Sequence, residues 1–213
     1  MPSQPLLLAF VIASVVIVLI PGPSLLFTIG RAISAGRREA LLSVIGNMLG
    51  LLTQIVAIAA GLGPVVAASA TAYTVLKVLG GGYLVWLGIR AIRDRRKVTA
   101  AMAAGLPTSA PAGHAIRTGY LVGVTNPKTI VFFVALLPQF VDPATGPVWL
   151  QIVVLGAIFG VIGIISDGSF ALAAGAARDW FARSPERMER IGGAGGLMMI
   201  GLGTGLLFAG RPE

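Results

Sequence analysis
Four stretches of this chain carry no charged side chain: residues 2–30, 40–76, 143–166 and 191–210. An α-helix rises ~1.5 Å per residue, so about 20 residues cross a hydrocarbon core ~30 Å thick, and every one of these gaps reaches that length. Open strands cannot satisfy their backbone groups in lipid, and no stretch alternates apolar and polar residues as a membrane barrel strand does, so the spans are helices. Composition agrees: of 213 residues 56% are hydrophobic and 11% charged, with a mean hydropathy of +0.90. A soluble domain carries roughly 25% charged residues. Sixteen Lys and Arg and eight Asp and Glu cannot cover a soluble fold of this size.

The formal charge of +8 would suggest nucleic acid in a soluble protein. In a membrane protein basic residues collect in cytoplasmic loops, so here the charge argues orientation and no nucleic-acid partner is expected. Zero cysteines exclude disulfides, thiol nucleophiles and iron–sulfur clusters. The N-terminus, Met1-Pro2-Ser3-Gln4-Pro5, lacks a basic region, and the apolar run from Leu6 ends in Pro21-Gly22-Pro23 rather than at a small-residue cleavage site. It reads as a first span, not a signal peptide.

Charge gaps, Pro/Gly breaks and aromatic ends place six transmembrane helices near 5–29, 40–62, 71–91, 116–140, 149–175 and 191–209. The loop after span one holds Arg31, Arg37 and Arg38; that after span three holds Arg90, Arg93, Arg95, Arg96, Lys97 and Arg117; that after span five holds Arg178, Arg183, Arg187 and Arg190. Thirteen of the 16 basic residues thus share one side, which the positive-inside rule assigns to the cytoplasm, with both termini outside. Trp149 and Trp180 fall near opposite ends of span five as interface anchors, and Tyr83 and Trp86 read similarly.

The chain is expected to be a single transmembrane domain, 1–213, made of two repeats of about 5–92 and 115–210 joined by a cytoplasmic linker of about 93–114. The linker's stretch 98–114 is rich in Ala, Gly and Pro. Helices one and four are both broken, by Pro21-Gly22-Pro23 and by Asn126-Pro127. Span two carries Gly46-x-x-x-Gly50 and span five Gly156-x-x-x-Gly160; span three has Gly80-x-Gly82 then Gly88, and span six Gly193-x-Gly195 then Gly201. Three spans per repeat is an odd number, so the second copy must run in the opposite direction. Inverted repeats with paired breaks are the pattern of secondary transporters, whose sites lie at the breaks. The glycines are expected at close helix contacts, where they would permit sliding or serve a homodimer.

A proline inside a helix leaves the carbonyl four residues earlier without its donor, and in lipid that carbonyl must find protein, water or ligand. One such proline is a commonplace kink; two at matching positions, the second beside an amide and a cation, point to a site. Lys128 lies about twelve residues into span four, near the bilayer midplane. A cation there costs at least ~2.5 kcal/mol unless paired or hydrated, so it should face a cavity and meet an anion. That anion is a substrate carboxylate, helped by the positive end of the half-helix after the break, or an internal acid. Asp167 is the acid well inside a span: a counter-ion for Lys128 or Lys77, a proton carrier, or both. A substrate carboxylate taking its place on Lys128 would free it to bind a proton. Lys77, one turn after Tyr73, reads equally as a site residue or a snorkelling anchor. Asn47 is placed to hydrogen-bond a substrate amine or another helix, and Gln54 to join helices. The single histidine, His114, lies in the linker, so no metal or cofactor is expected.

The ordered motifs Ile20-Pro21-Gly22-Pro23, Gly30-Arg31, Gly36-Arg37-Arg38, Gly46-Asn47-x-x-Gly50, Leu76-Lys77, Leu87-Gly88-Ile89-Arg90, Asn126-Pro127-Lys128 and Leu137-Pro138-Gln139-Phe140 resemble the amino-acid exporter family typified by LysE and RhtB. The likeness covers most of residues 5–142; spans five and six match chiefly in hydropathy. It implies proton-driven export of small amino acids or derivatives across a bacterial cytoplasmic membrane. It also implies that Pro21, Gly22 and Pro23 meet Asn126, Pro127 and Lys128 at the substrate site. With Asp167 the one acid inside a span, a neutral or modestly polar amino acid is the expected cargo. The rival readings are an intramembrane hydrolase, for which Ser166 with Lys128 is the available pair, and a channel or scaffold that does not transport.

Overall fold
A computed structural model describes residues 2–68, 70–103, 112–177, 180 and 184–208. Its elements are helical throughout, with no strand among the described residues. Helix α1 (Gln4–Leu19) is followed across Ile20-Pro21-Gly22 by α2 (Pro23–Ser34), bent from it by 49°. Then come α3 (Arg37–Ala68) and α4 (Ala70–Ala103). Next, α5 (Ala112–Val124) stops before Asn126, and α6 (Pro127–Val131) restarts the path. A π-helical turn at Phe132–Leu136 and a 3₁₀ turn at Leu137–Phe140, begun by Pro138, carry it on. Last are α7 (Val148–Ala176) and α8 (Pro185–Phe208).

Three of these are long and apolar enough to cross a membrane: Arg37–Gly61, Gly113–Phe140 and Val148–Ala176; the α1–α2 pair makes a fourth when taken as one broken span. The third and sixth expected spans lie on α4 and α8. Both are glycine-rich, one ends and the other begins in charged residues, and neither enters that count among the described residues. The linker is expected from about residue 93, and α4 continues into it through Ala103, because Arg, Lys and Ala are strong helix formers and neither Gly nor Pro interrupts before Gly105. Of the linker, residues 104–111 lie outside the described residues.

Two helix pairs approach at glycines. Where α3 meets α5, Gly46 lies on the Ile116 carbonyl, Gly50 on Tyr120, Gly119 on the Ser43 carbonyl and Gly123 on Asn47. Where α4 meets α8, a methyl on Gly203 would stand 2.6 Å from the Gly81 carbonyl, and Gly88 and Gly196 face each other in the same way. No side chain fits, so backbones touch directly, as expected where lipid offers no hydrophobic drive between helices. Gly82 and Gly201, expected at such contacts, face open space instead. Gly156 and Gly160 pack on Ile55 and Met48 of α3.

Phe10, Phe132, Phe133, Phe140 and Phe159 interlock by tilted and edge-to-face contacts at ring separations of 4.9–6.0 Å, tying α1 and α7 to the π-helical turn. A second cluster, with Leu25, Ile29, Val44, Ala171 and Met188, joins α2, α3, α7 and α8 at the basic end of the molecule. Large apolar side chains also face outward, among them Leu8, Ile12, Val161 and Ile165, as lipid-facing helix surfaces require.

Candidate functional site
Pro21 has no N–H to give the Ile17 carbonyl, and Pro127 none to give Gly123, whose carbonyl takes the Asn126 N–H at 3.1 Å instead, so each break interrupts the helical bonding of the interior. The two breaks are answered by side chains from elsewhere in the chain. Lys128, directly after the second break, sends its ammonium to the first, where Nζ donates to the Ile17 carbonyl at 3.0 Å and the Ile20 carbonyl at 2.8 Å. Gln54 of α3 serves the second: Nε2 donates to the Gly123 carbonyl at 2.9 Å and the Val124 carbonyl at 3.0 Å. Its Oε1 accepts from Thr129 Oγ1 at 2.9 Å. Asn126 Oδ1 accepts from the Lys128 backbone N–H at 3.1 Å, capping α6 so that the chain restarts as a helix at Pro127.

The Lys128 side chain is 5% exposed and Asn126 4%. On the face of Lys128 towards α3 and α7 lies a pocket lined also by Ser24, Asn47, Asn126, Thr129 and Asp167. Asp167, 8% exposed, accepts from Asn47 Nδ2 at 3.1 Å. The buried Ser24 hydroxyl lies in the same pocket as Asp167. The ion pairs among the described residues are Arg38–Glu39, Arg90–Asp94, Arg96–Glu189 and Lys97–Asp94, so Lys128 and Asp167 share a pocket without a direct bridge. Each charge is held by neutral dipoles, backbone carbonyls for the cation and an amide for the acid, and each keeps hydrogen-bonding capacity for a third group. The space open to water-sized molecules is about 40 Å³, enough for water and too small for an amino acid.

The expected site residues therefore divide. Asn47, Asn126, Lys128 and Asp167 line this central pocket. Pro127 sets the break behind it, as N1 of α6. Pro21, Gly22 and Pro23 line a second, larger cavity at the basic end, between α2, α4 and α8. Gly22 is where the two sides meet, since a Cβ there would stand 3.2 Å from Cδ and Cε of Lys128. Gly195 of α8 packs on the Pro21 carbonyl, holding the far side of the break. Lys77 is on α4, and its side chain lies outside the described residues. Ser166 does not line the pocket of Lys128.

Thr129 also lines the central pocket, and the sequence did not single it out. Its hydroxyl lies between Gln54 and the Asn126 carbonyl, 3.0 Å away, and its one signal was adjacency to Lys128. Gln151 was missed as well. Its amide donates to the Asp142 and Gly146 carbonyls and accepts from the Asp142 N–H, closing the turn before α7.

Known proteins resemble the chain along nearly all of its length. It is 41% identical to a membrane protein of uncharacterized function from Vibrio cholerae over 197 residues, 92% of this chain and 93% of that protein. It is 33% identical over 199 residues to a homoserine/homoserine lactone efflux protein of Salmonella typhimurium, again 92% and 93% of the two chains. A leucine efflux protein of an Enterobacter species is 25% identical over 200 residues, 92% of each chain. No solved structure matches. The LysE type translocator profile matches residues 15–210, a range that holds both breaks, Gln54, Lys128 and Asp167. Two broken helical spans, each closed by a polar side chain from another helix, are thus this chain's version of a known membrane translocator, and the protein belongs to the LysE type translocator family.

Proposed function
We propose that the protein is a secondary exporter of small neutral amino acids or their derivatives, working by proton antiport in a bacterial inner membrane. Six spans form two inverted halves with both termini outside. Lys128 receives the substrate carboxylate, Asn47 and Asn126 orient the substrate, and Asp167 carries the proton. The observation that carries this reading is the pocket between the two breaks, where a buried cation and a buried acid face common space without bridging each other. A carboxylate arriving at Lys128 displaces backbone carbonyls rather than an internal acid. Asp167, on Asn47 beside the substrate, gives up its proton inward as the cargo's ammonium arrives and takes one from outside after the cargo has left, so that cargo and proton move in opposite directions. The family and its efflux relatives support export. The two named cargoes of those relatives, homoserine with its lactone and leucine, support a neutral side chain. The inverted arrangement is supported by the matched breaks and by the contacts: α3 packs on α5 and α7 on α1, pairs that the repeat would interchange, while α4 packs on the helix Pro185–Phe208, the pair that it maps onto itself. With the central pocket at its present size, transport requires it to widen around the cargo.

Counterflow in proteoliposomes tests this. Labelled neutral amino acids should accumulate saturably against unlabelled internal pools, and an imposed pH gradient should increase the accumulation. Asp167→Asn should retain counterflow but lose the response to the gradient. Absence of counterflow for every amino acid, with insertion verified, overturns the assignment, and flux without saturation turns it to a channel.

A further inference from the structure
The cavity at the basic end measures about 580 Å³, within the roughly 300–1,000 Å³ of small-molecule sites. Its walls are mostly apolar, including Leu26, Phe27, Leu87, Met188 and Met199, and its floor is the Pro21-Gly22-Pro23 break. One wall residue is out of character. Arg31, expected in a solvated loop, is 2% exposed and lines this cavity from the third turn of α2.

Its Nε lies 3.4 Å from Ser43 Oγ, and its guanidinium stands 5.9 Å from the Phe27 ring centre. Nη2 is buried with no hydrogen-bond partner, and none of the ion pairs among the described residues includes Arg31. The other charges on the cavity wall include Arg90 and Asp94, which pair with each other and are more exposed. A buried guanidinium N–H without an acceptor is costly, and its planar fork matches a carboxylate. The apolar walls beside Arg31 suit an uncharged side chain, and a small turn of the buried guanidinium into the cavity would present its fork to a carboxylate. Arg31 lies eight residues beyond Pro23, about 12 Å along α2, and Lys128 waits behind Gly22 at the cavity floor.

We propose that Arg31 and this cavity form an entry subsite, in which the guanidinium takes the carboxylate of a neutral amino acid from the cytoplasm before it passes the break to Lys128. This rests on the exporter reading above.

Transport measured separately from the two faces tests it, with everted vesicles presenting the cytoplasmic face and right-side-out vesicles the other. Arg31→Gln should raise the cytoplasmic-face KM for the transported amino acid roughly tenfold or more, the range for a lost hydrogen bond to a charged group. The outer-face KM should stay within about twofold. Arg31→Lys, which keeps the charge and loses the fork, should fall between. Leu26→Trp fills the cavity without touching the charge and should raise the same KM, which decides the matter if Arg31→Gln fails to insert. An unchanged cytoplasmic-face KM in an inserted Arg31→Gln, or in Leu26→Trp, overturns the entry subsite. So does an Arg31→Gln effect that vanishes in reconstituted vesicles of purely zwitterionic lipid, which would make the anion a lipid headgroup. A wild type without counterflow for any amino acid sinks the exporter reading and this subsite with it; a transporting wild type with unaffected variants sinks the subsite alone.

Discussion
Ile17 and Gly123 lose their helical donors for the same reason, a proline four residues on, yet one is answered by an ammonium and the other by an amide side chain beside the Asn126 backbone N–H. That difference separates two kinds of polar residue inside the bundle. Gln54 spends both its N–H groups and its oxygen on the second break, so it is a brace. Gln54→Leu should lower stability by about 1–3 kcal/mol, read as a drop in unfolding midpoint in detergent, with residual counterflow retained. Lys128 holds a stranded carbonyl pair too, but its charge faces a pocket. Lys128→Ala should insert and fold while flux is abolished; normal flux in that variant removes Lys128 from the site. That these carbonyls lose their helical donors was legible from Pro21 and Pro127 alone. Which side chain would meet each was not, because a lysine and a glutamine on different spans are joined to them only by the tertiary fold. Arg31 was the clearest misreading at this scale. Proximity to Arg37 and Arg38 in sequence suggested a loop, whereas α2 runs to Ser34 and turns that position inward.

Glycines govern the next scale, that of the helix pair. The sequence singles out glycine pairs in spans two, three, five and six, and those of α3 do mark a close contact. Its partner glycines, Gly119 and Gly123 of α5, were not paired with them. Spacing tells which face of a helix is small, but the opposite surface belongs to another part of the chain. On α4 and α8 the contact uses the expected Gly88, opposite Gly196, but Gly81 and Gly203 in place of the expected Gly82 and Gly201, a shift of one or two residues that rotates the face. A contrast of two substitutions reads this out. Gly119→Leu would drive a side chain into the Ser43 carbonyl and should cost about 1–3 kcal/mol or more, seen as a lower unfolding midpoint and loss of monodispersity. Gly82→Ala meets nothing within 4 Å and should leave the midpoint unchanged or slightly raised.

For the whole molecule, helical membrane architecture followed from the charge gaps, because apolar length is a property of the sequence itself. Helix ends outside lipid were less legible: α4 runs on to Ala103 through residues whose helix preference outweighs their charge. Orientation is open to a direct test, since the chain has no cysteine of its own. Arg93→Cys in α4 and Ala144→Cys in the turn before α7 are both exposed positions on opposite sides of the proposed topology. An impermeant maleimide added to intact cells with a permeable outer membrane should label Ala144→Cys at once, and Arg93→Cys only after the inner membrane is opened; the reverse order inverts the topology. At this scale the bond from Lys128 to the broken end of α1 acquires another meaning. With no cargo aboard, the ammonium is occupied by the protein's own backbone, and the two halves of the chain are tied together through it. Cargo that claims the ammonium also undoes the tie. On the proposed reading, such a carrier stays latched until cargo or a proton loosens it, and a proton gradient is not drained through empty turnover.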